Sequence, residues 1–127
     1  MKRLEIIAAV FAIGVTASPA LAHHNANAQY DTSREVTKTG ALVEIRDISP
    51  HARWKFVVTD PVTKAQTPWM LEALGNAQLR RLGLSVKEDF KPGRTMGYVF
   101  TPARDGSNTG LLTAVILDGK TYRIITF

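Results

Sequence analysis

The chain holds three histidines, His23, His24 and His51, and no cysteine. Thiol chemistry is therefore closed to it, and imidazole is its strongest ligand for a soft or borderline metal. Cleavage after Ala22 would leave His23 with a free α-amine beside its ring, and the two nitrogens can chelate one ion. A nitrogen from His51 would complete a T-shaped set that suits Cu(II), with His24 as the competing ligand on the arm. The expected cofactor is copper or none. The plainer use of the same residues is an incidental His-His arm and a His51 that caps a turn through its ring N–H. Met70 and Met96 could extend a site toward Cu(I), although methionines at strand spacing more often fill a core.

Trp54, Trp69, Tyr98 and Phe100, with Arg53, Lys55 and Arg94, have the composition of a stacking surface for single-stranded nucleic acid or oligosaccharide. Alternation along 53–58 sets Trp54 and Phe56 opposite Arg53 and Lys55, which assigns those aromatics to a core. The expected ligand contacts are then Arg53, Trp69 and Arg94. The expected partners are a protein, a glycan or a small ligand, and not nucleic acid. Glu44, Asp47 and Glu72 are the carboxylates that could supply an acid–base pair, and Glu72 could equally partner Arg80 or Arg81. No Gly-x-Ser-x-Gly, P-loop or His-Glu-x-x-His is present, so no enzyme is expected. Asp105, Ser107 and Asn108 offer too few oxygens for calcium and read as a turn.

These residues need a frame, and the 127 residues suffice for one small domain. Residues 1–22 read as a secretory signal. Lys2 and Arg3 begin it, Ile6 to Val15 is apolar but too short to span a bilayer, and Pro19 precedes Ala20-Leu21-Ala22. The expected location is periplasmic or secreted, with no membrane span after cleavage. The net charge of +5 falls to +4 without Lys2, Arg3 and Glu5. Outside the inner membrane such a charge points to acidic lipid, glycan or protein, or simply to a solvated surface.

Residues 23–34 read as a flexible polar arm whose end Tyr30 could anchor, and 35–127 as the folded domain. Glu35 to Ile45 predicts a long strand bent or bulged at Gly40. Arg53 to Thr59 alternates with period two, a strand with one buried aromatic face. Asp60-Pro61 is a turn, and Thr67 to Leu71 a short strand beginning at an edge because of Pro68. Asn76 predicts a helix N-cap, with Leu79 and Leu82 on one face, Arg80 and Arg81 in the last turn and Gly83 as the stop. Lys91-Pro92-Gly93 leads into a strand over Arg94 to Thr101. Leu111 to Leu117 and Thr121 to Phe127 form a hairpin about Asp118-Gly119. The fold class is mainly β, a small five-stranded OB-like barrel with one short helix between strands three and four. A split antiparallel sheet is the structural alternative.

Six short motifs in fixed order add to this: Ala22-His23-His24, Pro50-His51-Ala52, Trp69-Met70-Leu71-Glu72, Arg80-Arg81-Leu82-Gly83, Lys91-Pro92-Gly93 and Asp105-Gly106-Ser107. On these the chain resembles a family of small exported bacterial proteins built on a domain of unknown function. Ser49 and Leu84 depart from its pattern, which favours Asn and an aromatic there. The resemblance implies a small barrel and an exported location, and brings no activity with it. The reading that results is an exported, non-enzymatic binding module, with copper binding through His23 and His51 as the alternative.

Overall fold

The computed structural model describes residues 26–48 and 50–127. Six strands carry the fold: β1 (Val36–Ile48), β2 (His51–Thr59), β3 (Gln66–Leu74), β4 (Thr95–Pro102), β5 (Thr109–Leu117) and β6 (Lys120–Arg123). Two short helices, α1 (Ala77–Arg81) and α2 (Val86–Asp89), lie between β3 and β4. The strands are hydrogen-bonded in the order β3-β2-β1-β4-β5-β6, and β3 also pairs with β5. That last pairing is parallel, over Met70 to Glu72, and it closes β1 to β5 into the five-stranded OB barrel. β6 is an additional strand on the outer flank of β5.

β1 serves two neighbours. Val36 to Ala41 pair with β4, and Ala41 to Ile48 pair with β2. The changeover sits at Gly40, where a Cβ would come within 2.5 Å of the Val57 carbonyl oxygen. The register shift itself falls between Leu42 and Glu44. The expected bend at Gly40 is thus a close approach of two strands, and the bulge follows it, leaving Val43 40% exposed.

β2 shows the alternation expected of it: Ala52, Trp54 and Phe56 are buried and His51 and Arg53 exposed. Its hairpin to β3 is fixed by Asp60, whose Oδ1 accepts from Val62 N and Thr63 N at 2.8 Å each. β3 runs longer than Thr67 to Leu71. Pro68 lies in the part that has β2 on one side only, where no ladder donor is lost. Asp118 and Gly119 take φ of 49° and 79°, the two-residue turn of a tight hairpin. β6 stops at Arg123 because both Ile124 N and Ile125 N turn to the Thr113 carbonyl, at 2.8 and 3.1 Å.

The β3–β4 connection departs most from expectation. Asn76 does not cap α1 with its side chain; its Nδ2 donates instead to Asp47 Oδ2 at 3.0 Å. Leu79 is buried but Leu82 is 37% exposed, since α1 ends after five residues. A second helix follows, opened by Ser85. Ser85 Oγ accepts from Glu88 N at 3.4 Å, and Asp89 Oδ2 accepts from Ser85 N at 2.7 Å. Phe90, 4% exposed, then packs edge-on against Trp54 with ring centroids 4.9 Å apart.

Trp54, Phe56, Tyr98, Phe100, Leu42, Leu71, Leu112 and Val115 are each under 2% exposed or nearly so and form the barrel interior. Tyr98 stacks on Phe56 at 3.9 Å, yet its buried hydroxyl has no hydrogen-bond partner among the described residues. Burial alone holds that phenol protonated well above its usual range. Tyr98→Phe removes the orphaned oxygen and keeps the stack. It should raise stability by about 1 kcal/mol, read as a higher melting temperature; a lower one would mean that the hydroxyl has a partner.

Candidate functional site

Alternation on three adjacent strands builds one outward face. Across the sheet the rows are Ile48–His51–Leu74, Arg46–Arg53–Glu72 and Glu44–Lys55–Met70. Every one of these residues stands opposite in sense to Trp54, Phe56 and Leu71, which point into the barrel. The face therefore follows from the core: burying the aromatics of β2 forces His51, Arg53 and Lys55 outward.

Glu72 is the hub of this face. Its Oε1 lies 2.5 Å from His51 Nδ1, and its Oε2 accepts from the Tyr30 hydroxyl at 2.7 Å. Tyr30 is held from the other side by the β4–β5 loop. It forms a β-bridge with Ala103, Asp31 N donates to the Pro102 carbonyl at 2.9 Å, and Arg104 N donates to the Gln29 carbonyl at 2.9 Å. Burial raises the Tyr30 phenol well above its usual range, and the hydrogen bond to Glu72 and its negative charge raise it further, against the opposing pull of Arg53. The hydroxyl keeps its proton and remains a donor to Glu72. The polar stretch ahead of β1 is thus bonded to the barrel from its helical turn at 26–29 onward, with Tyr30 as the anchor.

The side chain of His51 is 53% exposed, and that of Glu72 30%. Arg46 pairs with Glu44 at 3.2 Å. Among the described residues neither Arg53, which is exposed, nor Lys55, which is half-exposed, makes an ion pair. The three candidate carboxylates do not meet. Glu44 is on Arg46, Asp47 on Asn76, and Glu72 on His51 and Tyr30 rather than on Arg80 or Arg81.

The other expected contacts are scattered. Trp69 is the cross-strand partner of Phe56, so it lies on the inward face of β3, opposite in sense to Arg53. It packs against Phe100 with centroids 5.3 Å apart, and Lys38 Nζ sits 4.9 Å from its ring centroid. Arg94 is tied down by two groups. Nη1 donates to the Asp89 carbonyl at 2.6 Å and Nη2 to Asp118 Oδ2 at 3.0 Å, which joins the end of α2 to the β5–β6 turn. Arg53, Trp69 and Arg94 therefore share no face. Met96 is core at 3% exposure, whereas Met70 is 39% exposed on the outer face. Asp105 accepts from Ser107 N at 2.9 Å, and bonds from the Ser107 side chain and backbone hold its carboxyl below the usual range, as in a plain turn.

His23 and His24 lie outside the described residues. Among the described residues no three His, Cys, Asp or Glu side chains gather as a metal site, and no helix is long and apolar enough to cross a membrane. An open depression of about 500 Å³ lies elsewhere, between residues 32–35 and Arg123, Thr126 and Phe127. Its arginines are engaged, Arg34 with Asp31 and Arg123 with Glu35. The convergence of Tyr30, Glu72 and His51 was not read from the sequence. Period two puts His51 and Glu72 on outward positions, but only the register of β2 against β3 brings them together.

Solved structures share this architecture. Two crystal structures of the mitochondrial single-stranded DNA binding protein Rim1 from S. cerevisiae are similar to the chain in fold, each at 6% identity. One covers 71% of this chain and 94% of that chain with a TM-score of 0.52. The other, of selenomethionine-labelled protein, covers 67% and 93% with a TM-score of 0.51. No curated protein matches the chain. The model of a family of unknown function, DUF6152, matches residues 12–113.

Proposed function

This chain belongs to the family of unknown function DUF6152, and we propose that it is an exported, non-enzymatic binding module acting in the periplasm or outside the cell. The composition of residues 1–22 supports export. The observation that carries the binding role is the outer face of β1–β3. There Arg53 and Lys55 stand without a carboxylate partner among the described residues, beside His51. OB barrels take their ligands on the face of strands two and three. The chemistry suits a ligand with carboxylate, sulfate or phosphate oxygens, presented by a protein, a glycan or a small molecule.

Nucleic acid does not suit this face. Single strands are held by stacking bases on displayed aromatics, and here Trp54, Phe56 and Phe100 are buried in the core while Trp69 packs against it. The single-stranded DNA binding of the Rim1 structures is not carried over at 6% identity. Catalysis is not part of the reading either. His51 lies against Glu72, but among the described residues no serine or threonine hydroxyl is bonded to that ring.

The double charge reversal Arg53→Glu, Lys55→Glu should weaken binding of an acidic oligosaccharide about tenfold, on the order of 1.4 kcal/mol. Melting should be unchanged, as for other surface substitutions. Titration calorimetry of both proteins checks this, and equal affinity would remove the face from consideration.

A second reading is copper binding, with His23 as the processed terminus and His51 as the ligand from the barrel. It is favoured by the exposure of His51 and by Tyr30, which anchors the preceding chain to the same carboxylate as His51. An additional residue ahead of His23 should abolish tight Cu(II) binding; unchanged affinity would end this reading.

A further inference from the structure

Arg53 has one acidic neighbour in its row across the sheet. The row is Arg46–Arg53–Glu72, and Arg46 repels Arg53 and is itself paired with Glu44 at 3.2 Å. Opposite charges that face each other across two antiparallel strands ordinarily attract and pair. Arg53 and Glu72 face each other in this way, yet they form no ion pair. Glu72 has given its carboxylate to other groups. Oε2 accepts from the Tyr30 hydroxyl at 2.7 Å, and Oε1 lies 2.5 Å from His51 Nδ1.

Tyr30 is held by contacts that do not involve Glu72. It bridges to Ala103, Asp31 N donates to the Pro102 carbonyl at 2.9 Å, and Arg104 reaches back twice. Arg104 N donates to the Gln29 carbonyl at 2.9 Å and its Nε to the Asn27 carbonyl at 2.8 Å. The segment 27–31 is thus strapped to the β4–β5 loop, and it delivers one hydroxyl to β3 at the seam where Glu72 pairs with Leu111 of β5. Burial, the bond to Glu72 and its charge keep that hydroxyl protonated, so it donates. The bond is part-buried, whereas Arg53 is exposed. A part-buried hydrogen bond to a charged acceptor outweighs an exposed ion pair, which water screens and which must immobilise two long side chains. The Arg53 charge still acts on the phenol, so the guanidinium stands near the Tyr30–Glu72 pair without joining it.

We infer that Tyr30 is a positioning residue for the outer face: by holding Glu72 it keeps the Arg53 guanidinium open to an anionic ligand, so the segment ahead of β1 sets the charge that this face presents. This deepens the reading of the outer face as the binding surface and rests on it. It adds what keeps the arginine available, and it assigns that role to a residue outside the strands that form the face.

The test pairs ¹⁵N NMR of the Arg53 guanidinium, its signals assigned by Arg53→Lys, with calorimetric titration of a heparin hexasaccharide. In wild type the Arg53 Nη signals should be averaged by rotation about the Nε–Cζ bond. Tyr30→Phe should slow that rotation as Glu72 turns onto Arg53. It should also weaken the hexasaccharide about two- to fivefold, the range of an exposed ion pair that the ligand must break. Glu72→Gln keeps an acceptor for Tyr30 but forms no ion pair with Arg53. In that background Tyr30→Phe should change neither the Arg53 signals nor the affinity. An equal loss of affinity in both backgrounds would mean that Tyr30 only braces the strap, and it overturns the inference, as do Arg53 signals that Tyr30→Phe leaves untouched. If the hexasaccharide does not bind the wild type, the reading of the face falls and the ligand half of the inference with it. The Arg53 signals still decide separately whether Tyr30 holds Glu72 away from the arginine.

Discussion

Phe56→Ala should lower the unfolding free energy by about 3–5 kcal/mol, a large part of the 5–15 kcal/mol that holds a typical domain together, roughly. Phe56 is 0% exposed and lies between two other rings. Tyr98 stacks on it at 3.9 Å and 14°, and Trp69 lies at 6.4 Å and 20°. The barrel is closed on all sides by strand pairing, β1 to β2, β2 to β3, β3 to β5, β5 to β4 and β4 to β1. Strands tied in this way cannot collapse into the space a ring leaves, so the full cavity term is felt. Urea unfolding should show a lower midpoint with an unchanged slope. A loss under about 1 kcal/mol, the size of an ordinary substitution, would mean that the interior does not close around this ring.

Gly40→Ala should also destabilise, by about 1–3 kcal/mol. The sign is the informative part. Replacing a strand glycine by alanine ordinarily helps, because the unfolded chain loses freedom. Here the new methyl would sit 2.5 Å from the Val57 carbonyl oxygen and 2.9 Å from Phe56 Cδ2. Neither can yield without parting β1 from β2 at the point where β1 exchanges β4 for β2. Amide exchange should rise at Ala41 and Val57, which are partners across that point. An alanine variant as stable as the wild type would place the changeover elsewhere.

Much of this fold was legible because it is written in short-range pattern. Trp54, Phe56 and Val58 against Arg53, Lys55 and Val57 is a two-residue period, and Asp118-Gly119 is a local turn signal. The element order then gave the barrel. What could not be read was long-range. The parallel β3–β5 closure joins Leu71 to Gly110, and nothing near either residue announces it. A second helix was missed although Ser85 and Glu88 carry the spacing of a capping box. Asn76 has the chemistry of a cap, but Asp47, brought near by the β1–β2 turn, takes its side chain.

The site divides in the same way. His51 was singled out from its type and its place after Pro50, and it stands on the surface. Glu72 was read as a carboxylate, a motif residue and a possible partner of Arg80 or Arg81 but not as a neighbour of His51, because that contact depends on which residues of β2 and β3 lie side by side. Trp69 was expected at the surface as one of the aromatics set among basic residues, yet the alternation Trp69, Leu71, Ala73 carries it inward. Arg94 looked free because Asp118, its partner, is far along the chain at the next hairpin. Arg53 alone of the three stays on the outer face with no ion pair among the described residues.

The most direct test of the binding account is photo-crosslinking in the living cell, with a photoreactive phenylalanine at Met70, which is exposed on the outer face of β3, and a control at Lys87, exposed on α2. The account predicts a discrete crosslinked species in the exported fraction from position 70, none from position 87, and its loss when Arg53→Glu and Lys55→Glu are added. Equal products from both positions, no product at position 70, or a protein retained in the cytoplasm with residues 1–22 intact would contradict it.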